Sequence, residues 1–401
     1  MTTAERPGGA LRSFDESALV SLLMDGIAVP AHELEALVDM AGEAIGATSA
    51  RMLVADYGLT SLQELGTDGP TGARQPIEGT MAGRCFASSE VVVADHETAV
   101  VWVPLTDGAE RLGVLELVHP AWSQEWRRAA APIVRVLVLT IVSKRRYTDV
   151  LVRTRRSEPL ELAAEIQWAL LPPLACSTRN SSISGVLEPA YAIGGDSFDY
   201  AVNPSGLEFA IIDAVGHGLP AVAISSVALN SLRNSRRGGH DLATAYGKTD
   251  AALRAQFTRP AYTTGQIGSL DDGTGELTWL NAGHPLPLLV RDQSFVGELP
   301  CRPSLPMGLG GMPIEVAVAH LQPGDRVLFH TDGIIESESP EGEQFGMERL
   351  ADLLVRAASD GTPPAEMARR LAAAVLDFNG QTLRDDATLL MIEYHGSDAP
   401  A

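Results

Sequence analysis

Several stretches of this 401-residue chain place an aspartate at the end of an apolar run or beside glycine. Asp196 stands in AIGGDSFDY, Asp213 in FAIIDAVGHG, Asp332 in VLFHTDG, and Asp385 with Asp386 in RDDATLLMI. One aspartate so placed is ordinarily a turn residue or a helix cap. Four such places in the same domain change the reading. A carboxylate at the end of a buried strand is costly to desolvate unless something cationic meets it. No comparable number of lysines or arginines stands at strand ends, so a metal is the economical partner. Carboxylates without histidine or cysteine suit hard cations, Mg2+ or Mn2+. Two such ions about 3.5–4 Å apart, sharing one carboxylate, activate a water at neutral pH and hold a phosphoryl group for in-line attack. Gly194, Gly195, Gly216 and Gly218 lack a Cβ, which lets the backbone turn tightly and a substrate or ion approach closely.

The elements that must position these residues fill a long domain over 174–395. Strand signals are Leu207–Ile212, Leu277–Leu280, Pro287–Val290, Arg326–His330 and Ala387–Tyr394, each apolar or β-branched. Helices are expected over Pro220–Leu232, Leu242–Phe257, Met347–Ala358 and Ala365–Phe378. In the last of these Met367, Leu371 and Val375 recur every four residues and form one buried stripe. Strands separated by pairs of helices, without strict alternation, favour packed sheets with helices outside.

Upstream, residues 1–19 begin polar and glycine-containing and read as a loose leader. Over 20–142 the pattern is that of a compact α+β domain. Leu34, Leu37, Val38, Ala41 and Ile45 fall at helical spacing, Ala50–Asp56, Val91–Ala94, Val100–Leu105 and Arg111–Val118 read as strands, and Ile133–Val142 as a closing helix. Between 143 and 173 Lys144, Arg145, Arg146, Arg153, Arg155 and Arg156 form a basic stretch, and EIQWALLPP stops at Pro172–Pro173. This is expected to be a helical linker whose basic stripe is either a solvated face or a contact for an acidic partner. Residues 396–401 are a short tail.

Thirty basic against 51 acidic residues give a net charge of −21. Such a surface repels phosphate backbones and anionic lipid heads, which argues against nucleic acid and membrane surfaces as partners. Cys85, Cys176 and Cys301 form neither a CxxC pair nor a zinc spacing and fit reduced thiols. The longest apolar run, interrupted by Arg135, is about half the ~20 residues a spanning helix needs, and no signal peptide is legible. A cytoplasmic protein is expected.

From Gln167 onward the chain resembles the SpoIIE-type branch of the metal-dependent type 2C protein phosphatase (PPM) superfamily, bacterial regulators of sigma-factor pathways. The matching words run in family order: IQWALLPP, IGGDSFDY, IIDAVGHGLPA, TTGQIGSLD, LNAGHPLPLL, PGDRVLFHTDGIIES, FGMERL and RDDATLL. The resemblance implies a β-sandwich flanked by helices, with two Mn2+ or Mg2+ ions between the sheets. It implies that Asp196 binds the first ion, that Asp213 bridges both, and that the main-chain carbonyl of Ala214 completes the first site. Asp332 and Asp385 would hold the second ion, with Asp386 supporting the turn.

His217 and His284, in the turns GHG and AGH, are candidates either for a general acid toward the leaving serine oxygen or for ordering their own loops. The words PIEGTMAGRCFASSE and VWVPLTDGAERLGVLEL are similar to GAF sensor domains. There Cys85 is either a cofactor ligand or a small buried hydrophobe, and Trp102 either lines a ligand cavity or belongs to the core.

The resemblance implies a serine/threonine protein phosphatase acting on a phosphorylated STAS-type anti-sigma factor antagonist. The order of sensor, linker and catalyst points to control through the linker residues Gln167, Leu170 and Leu171 by an unknown signal at the GAF-like domain, with pairing of linkers giving a homodimer. The rivals are a non-catalytic sensor or scaffold that keeps the fold for partner binding, and a metal-dependent nuclease or nucleotide phosphohydrolase. No GxSxG elbow, Walker loop or Rossmann GxGxxG occurs in suitable context.

Overall fold

A computed structural model describes residues 16–94, 99–120, 123–192, 194–311, 314–381, 383 and 385–396. It divides into two compact units, the first comprising most of the chain up to Ser157 and the second running from Glu158 onward.

The first unit contains helices α1 (Glu16–Ala28), α2 (Leu34–Ala44), α3 (Met81–Ser88), α4 (Gln124–Lys144) and α5 (Val150–Arg155), with a 3-10 turn at Arg145–Tyr147. Its strands are β1 (Ser49–Ala55), β2 (Ser61–Gly66), β3 (Gly69–Pro76), β4 (Val92–Ala94), β5 (Ala99–Asp107) and β6 (Glu110–His119). They form one six-stranded sheet in the order β3-β2-β1-β6-β5-β4. The helical spacing of Leu34, Leu37, Val38 and Ala41 buries all four, and they meet Met52, Leu115 and Leu117 of the sheet and Ile133, Leu137 and Ile141 of α4 in one core. Ser123 starts α4 by accepting the Trp126 N–H at 3.1 Å.

Two expectations shift here. Residues 16–19, assigned to a loose leader, open α1; the remainder of that leader and most of the 396–401 tail lie outside the described residues. The 143–173 linker is not one element. Helix α4 runs into it, α5 groups with the first unit, and α6 (Leu162–Leu170) groups with the second. Part of the basic stretch is used inside the first unit: the Arg155 guanidinium donates to the Ala55 carbonyl at 3.3 Å.

The second unit has strands β7 (Ala175–Ser177), β8 (Ser181–Glu188), β9 (Ser197–Asn203), β10 (Gly206–Ala214), β11 (Thr263–Leu270), β12 (Glu276–Ala282), β13 (Leu288–Arg291), β14 (Ser294–Glu298), β15 (Val316–His320), β16 (Arg326–His330) and β17 (Ala387–Tyr394). Besides α6, its helices are α7 (Gly218–Arg237), α8 (Leu242–Gln256), α9 (Asp332–Ile335), α10 (Gly346–Ser359) and α11 (Pro364–Phe378). One sheet runs β15-β12-β11-β10-β9 and the other β14-β13-β16-β17-β8-β7.

Their facing sides interdigitate. Phe198, Phe209, Ile211 and Trp279 from the first sheet pack with Ile183, Val327, Phe329 and Leu390 from the second, and the Phe209 and Phe329 rings stand 4.7 Å apart. On the outer face of the first sheet, Ala210, Ile212 and Leu280 meet Ala228 and Leu229 of α7 and Tyr246 and Leu253 of α8. Helix α11 lies against β8 and β17 of the second sheet, and its Met367, Leu371 and Val375 are all buried. The result is a β-sandwich flanked by helices, with apolar faces buried on both sides of each sheet.

Candidate metal centre

The sandwich gathers the acidic residues at one end. Asp213 lies one residue before the end of β10, opposite Thr264 of β11, and Asp196 immediately precedes β9. Asp332 opens the one-turn helix α9 directly after β16, and Asp385 stands two residues before β17. β9 and β10 run antiparallel, as do β16 and β17, so the start of one strand and the end of its neighbour share an edge. The two sheets are tied together there. Thr331 Oγ1 donates to Asp196 Oδ2 at 2.7 Å, and Asp386 accepts the N–H groups of Gly194 and Asp196.

Burial and like charge set the electrostatics. Asp196 is 2% exposed, and desolvation drives its carboxyl well above the usual carboxylate range, with Asp213 and then Asp386 adding to the push. Asp213 is raised to about 7, first by burial and then by Asp332, Asp385 and Asp386. Burial, and then the neighbouring Asp332, raise Asp385. The four carboxylates therefore feel one another. Among the described residues no lysine or arginine forms an ion pair with any of them.

This donor set fits a hard divalent cation in chemistry: its side chains offer only carboxyl oxygens, and no cationic side chain is paired with them. The positions are not drawn up as a finished cage. Among the described residues no three His, Cys, Asp or Glu side chains stand at metal-holding geometry. Like-charged carboxylates repel, and closing them to shared-ligand distance takes a cation between them.

The backbone around Ala214 is closely fitted. A Cβ on Gly195 would stand 2.2 Å from the Ala214 carbonyl oxygen, so only glycine lets the two segments pass. The Ser225 hydroxyl donates to the Gly195 carbonyl, and Thr263 Oγ1 donates to the Asp213 carbonyl at 2.8 Å. Gly216 and Gly218 take left-handed φ values of +92° and +66°, which turn the chain from β10 into α7. A cleft of about 240 Å3, lined by Gly333, Glu336, Glu338, Asn379 and Asp385 among others, opens beside Asp385.

The two histidines part company. His217 is exposed at the N-cap of α7 and its side chain makes no capping bond. His284 is buried, its Nδ1 lies 2.9 Å from Thr264 Oγ1, and its N–H donates to Asn281 Oδ1 at 2.7 Å. Burial, with His330 nearby, pushes the His284 ring down to about 3, so it is neutral at working pH and its contacts order the 281–285 turn. Of the linker residues, Gln167 is buried with neither amide atom hydrogen-bonded. Its carbonyl accepts the Leu171 N–H at 3.0 Å, and the Leu170 carbonyl accepts from Arg233, which also pairs with Asp199 of β9. In the first unit Cys85 is fully buried with its thiol pushed up to about 12 by burial, and Trp102 Nε1 donates to Glu116 at 2.8 Å. The residue that sequence reasoning passed over is Thr331, whose one signal was its place in HTDG directly before Asp332.

Residues 203–395 match the family model described as Stage II sporulation protein E (SpoIIE). The match takes in Asp213, Asp332 and Asp385 and begins after Asp196. Together with the relatives it supports a SpoIIE/PP2C-type (PPM) phosphatase domain in the C-terminal part of the chain.

Among the curated relatives, Protein IcfG of Synechocystis is 22% identical over 269 residues, covering 58% of this chain and 41% of IcfG. Phosphoserine phosphatase RsbU of Bacillus subtilis is 20% identical over 238 residues, covering 58% of this chain and 69% of RsbU. This chain thus spans less than half the length of the first relative. Among solved structures, the RsbU and RsbW domains of Rv1364c from Mycobacterium tuberculosis are 30% identical, covering 55% of this chain and 61% of that one, with a TM-score of 0.48.

Proposed function

We propose that the chain is a Mn2+- or Mg2+-dependent serine/threonine protein phosphatase acting on a phosphorylated partner protein. The observation that carries this reading is the cluster of carboxylates at one end of the sandwich, with Asp196 buried and Asp213 and Asp332 half-buried, which raise one another's pKa and which no cationic side chain neutralises. Asp196, Asp213 and the Ala214 carbonyl would hold one ion; Asp213, Asp332 and Asp385 would hold the second. When bound, the ions supply Lewis-acid polarisation of the phosphoryl group and an activated water. The chain's own residues do the rest. The cleft beside Asp385 receives the phosphorylated side chain, Asp386 and Thr331 hold Asp196 in place, and exposed His217 delivers a proton to the leaving serine oxygen.

The partner proposed from the motif resemblance is a STAS-type anti-sigma factor antagonist, met in the cytoplasm. Control is proposed to come from a GAF-like fold in the first unit, acting through Gln167, Leu170 and Leu171 in a homodimer. The Leu170–Arg233–Asp199 linkage supports this, since it joins the end of α6 to the strand that follows Asp196.

A second reading has one observation in its favour. A scaffold that retained the fold for binding would also lack a finished metal cage. Hydrolysis of a phosphoserine protein, a nucleotide and DNA by the full chain with manganese separates the possibilities. Release of phosphate from the phosphoprotein alone is expected, and no manganese-dependent release from any substrate would favour the scaffold.

A further inference from the structure

We propose that Thr331 is a positioning residue for the metal centre: its hydroxyl fixes the orientation of the Asp196 carboxylate. This rests on the reading of the site as a metal centre.

The argument is one of proton direction. A threonine hydroxyl has a single proton. The Thr388 N–H donates to Thr331 Oγ1 at 2.9 Å, which occupies the oxygen as an acceptor. The hydroxyl proton is then left for Asp196 Oδ2, 2.7 Å away. That bond makes Asp196 Oδ2 the acceptor of a donor whose position is fixed. The bond takes one lone pair of Oδ2 and fixes the plane in which the Asp196 carboxylate offers its remaining lone pairs to a cation.

The donor itself is held rigidly. Thr331 is fully buried, its N–H donates to the Thr388 carbonyl at 3.1 Å, and its branched Cβ restricts χ1. Thr331 and Thr388 belong to the six-stranded side of the sandwich, whereas Asp196 leads into the five-stranded sheet. The bond therefore sets a ligand on one sheet from a fixed point on the other. Partners of this kind orient a ligand and raise its worth to the metal, and losing one typically costs 10–100-fold in metal affinity.

The test is calorimetric titration of the full metal-free chain with MnCl2, in wild type, T331V and T331S, with the thermal midpoint of each read before metal is added. T331V keeps the volume and removes the hydroxyl; T331S keeps the hydroxyl and removes the methyl. The expected result is manganese affinity about 10–100-fold weaker in T331V and restored to near wild type in T331S. Equal affinity in wild type and T331V overturns the inference alone. Equal weakening in both variants also overturns it, since the methyl packing would then be what matters. A wild-type chain that binds no manganese overturns the metal centre and this inference together. Should T331V fail to fold, T331A against T331S makes the same comparison.

Discussion

The carboxylate of Asp386 holds the backbone of Asp196, its Oδ2 accepting the Asp196 N–H at 3.1 Å across 190 positions of sequence. The same carboxylate accepts the Gly194 N–H at 2.8 and 2.9 Å. The second aspartate of the Asp385–Asp386 doublet is thus the clasp of the loop that presents Asp196. Asp386→Ala removes the clasp and leaves two buried N–H groups without an acceptor. A loss of about 2–6 kcal/mol is expected, at about 1–3 kcal/mol for each orphaned donor, read by urea denaturation, together with weakened manganese binding.

Gly195→Ala tests the close approach of the segments that carry Asp196 and Asp213. The added Cβ would collide with backbone, the Ala214 carbonyl oxygen, and not with a side chain that can move aside. The expected outcome is a folded protein destabilised by roughly 1–3 kcal/mol with manganese-dependent activity lost. A variant with wild-type melting and turnover would show that the segments have room.

The raised Asp213 carboxyl predicts the direction of pH dependence in the metal-free chain. Its folded value is about 7 against an ordinary 3.8, so between these values the folded state binds more protons than the unfolded one. Stability is therefore full below about 4 and falls as pH rises toward 7. Thermal midpoints in EDTA should drop across that window, Asp213→Asn should flatten the slope, and Mn2+ should restore stability most at the upper end, where it need not displace a proton.

The unit boundary predicts how fragments behave. Helix α6 is built into the second unit: Ala164 is buried, Trp168 Nε1 donates to the Ala190 carbonyl at 2.8 Å, and the Leu170 carbonyl meets Arg233. A 158–401 fragment should melt cooperatively and at a higher temperature than 174–401. Equal midpoints would make α6 a passenger.

How much of this was legible follows physical lines. Arg326–His330 and Ala387–Tyr394 were readable as strands to the residue because each is built around a short apolar run, Val327–Phe329 and Leu389–Ile392. β8 was not. Its SSISGVLE looks polar, yet all eight residues are buried, and the strand packs against α11. Helix α3 hid in a stretch punctuated by glycine and threonine, its N-cap being Thr80, which accepts the Gly83 N–H at 3.0 Å. The aspartates were legible as chemistry because each stands at one end of an apolar run or beside glycine. Thr331 was not, because its role depends on a partner 135 positions away that no local pattern records.

The central claim is that these carboxylates close on two divalent ions. Equilibrium dialysis of the full chain against manganese, with bound metal counted per chain, tests it most directly. Two ions per wild-type chain are expected, and Asp213→Ala should lose both sites or retain one weakly. A wild-type chain that retains no manganese, or an Asp213→Ala chain that retains two ions as tightly as wild type, would contradict the account.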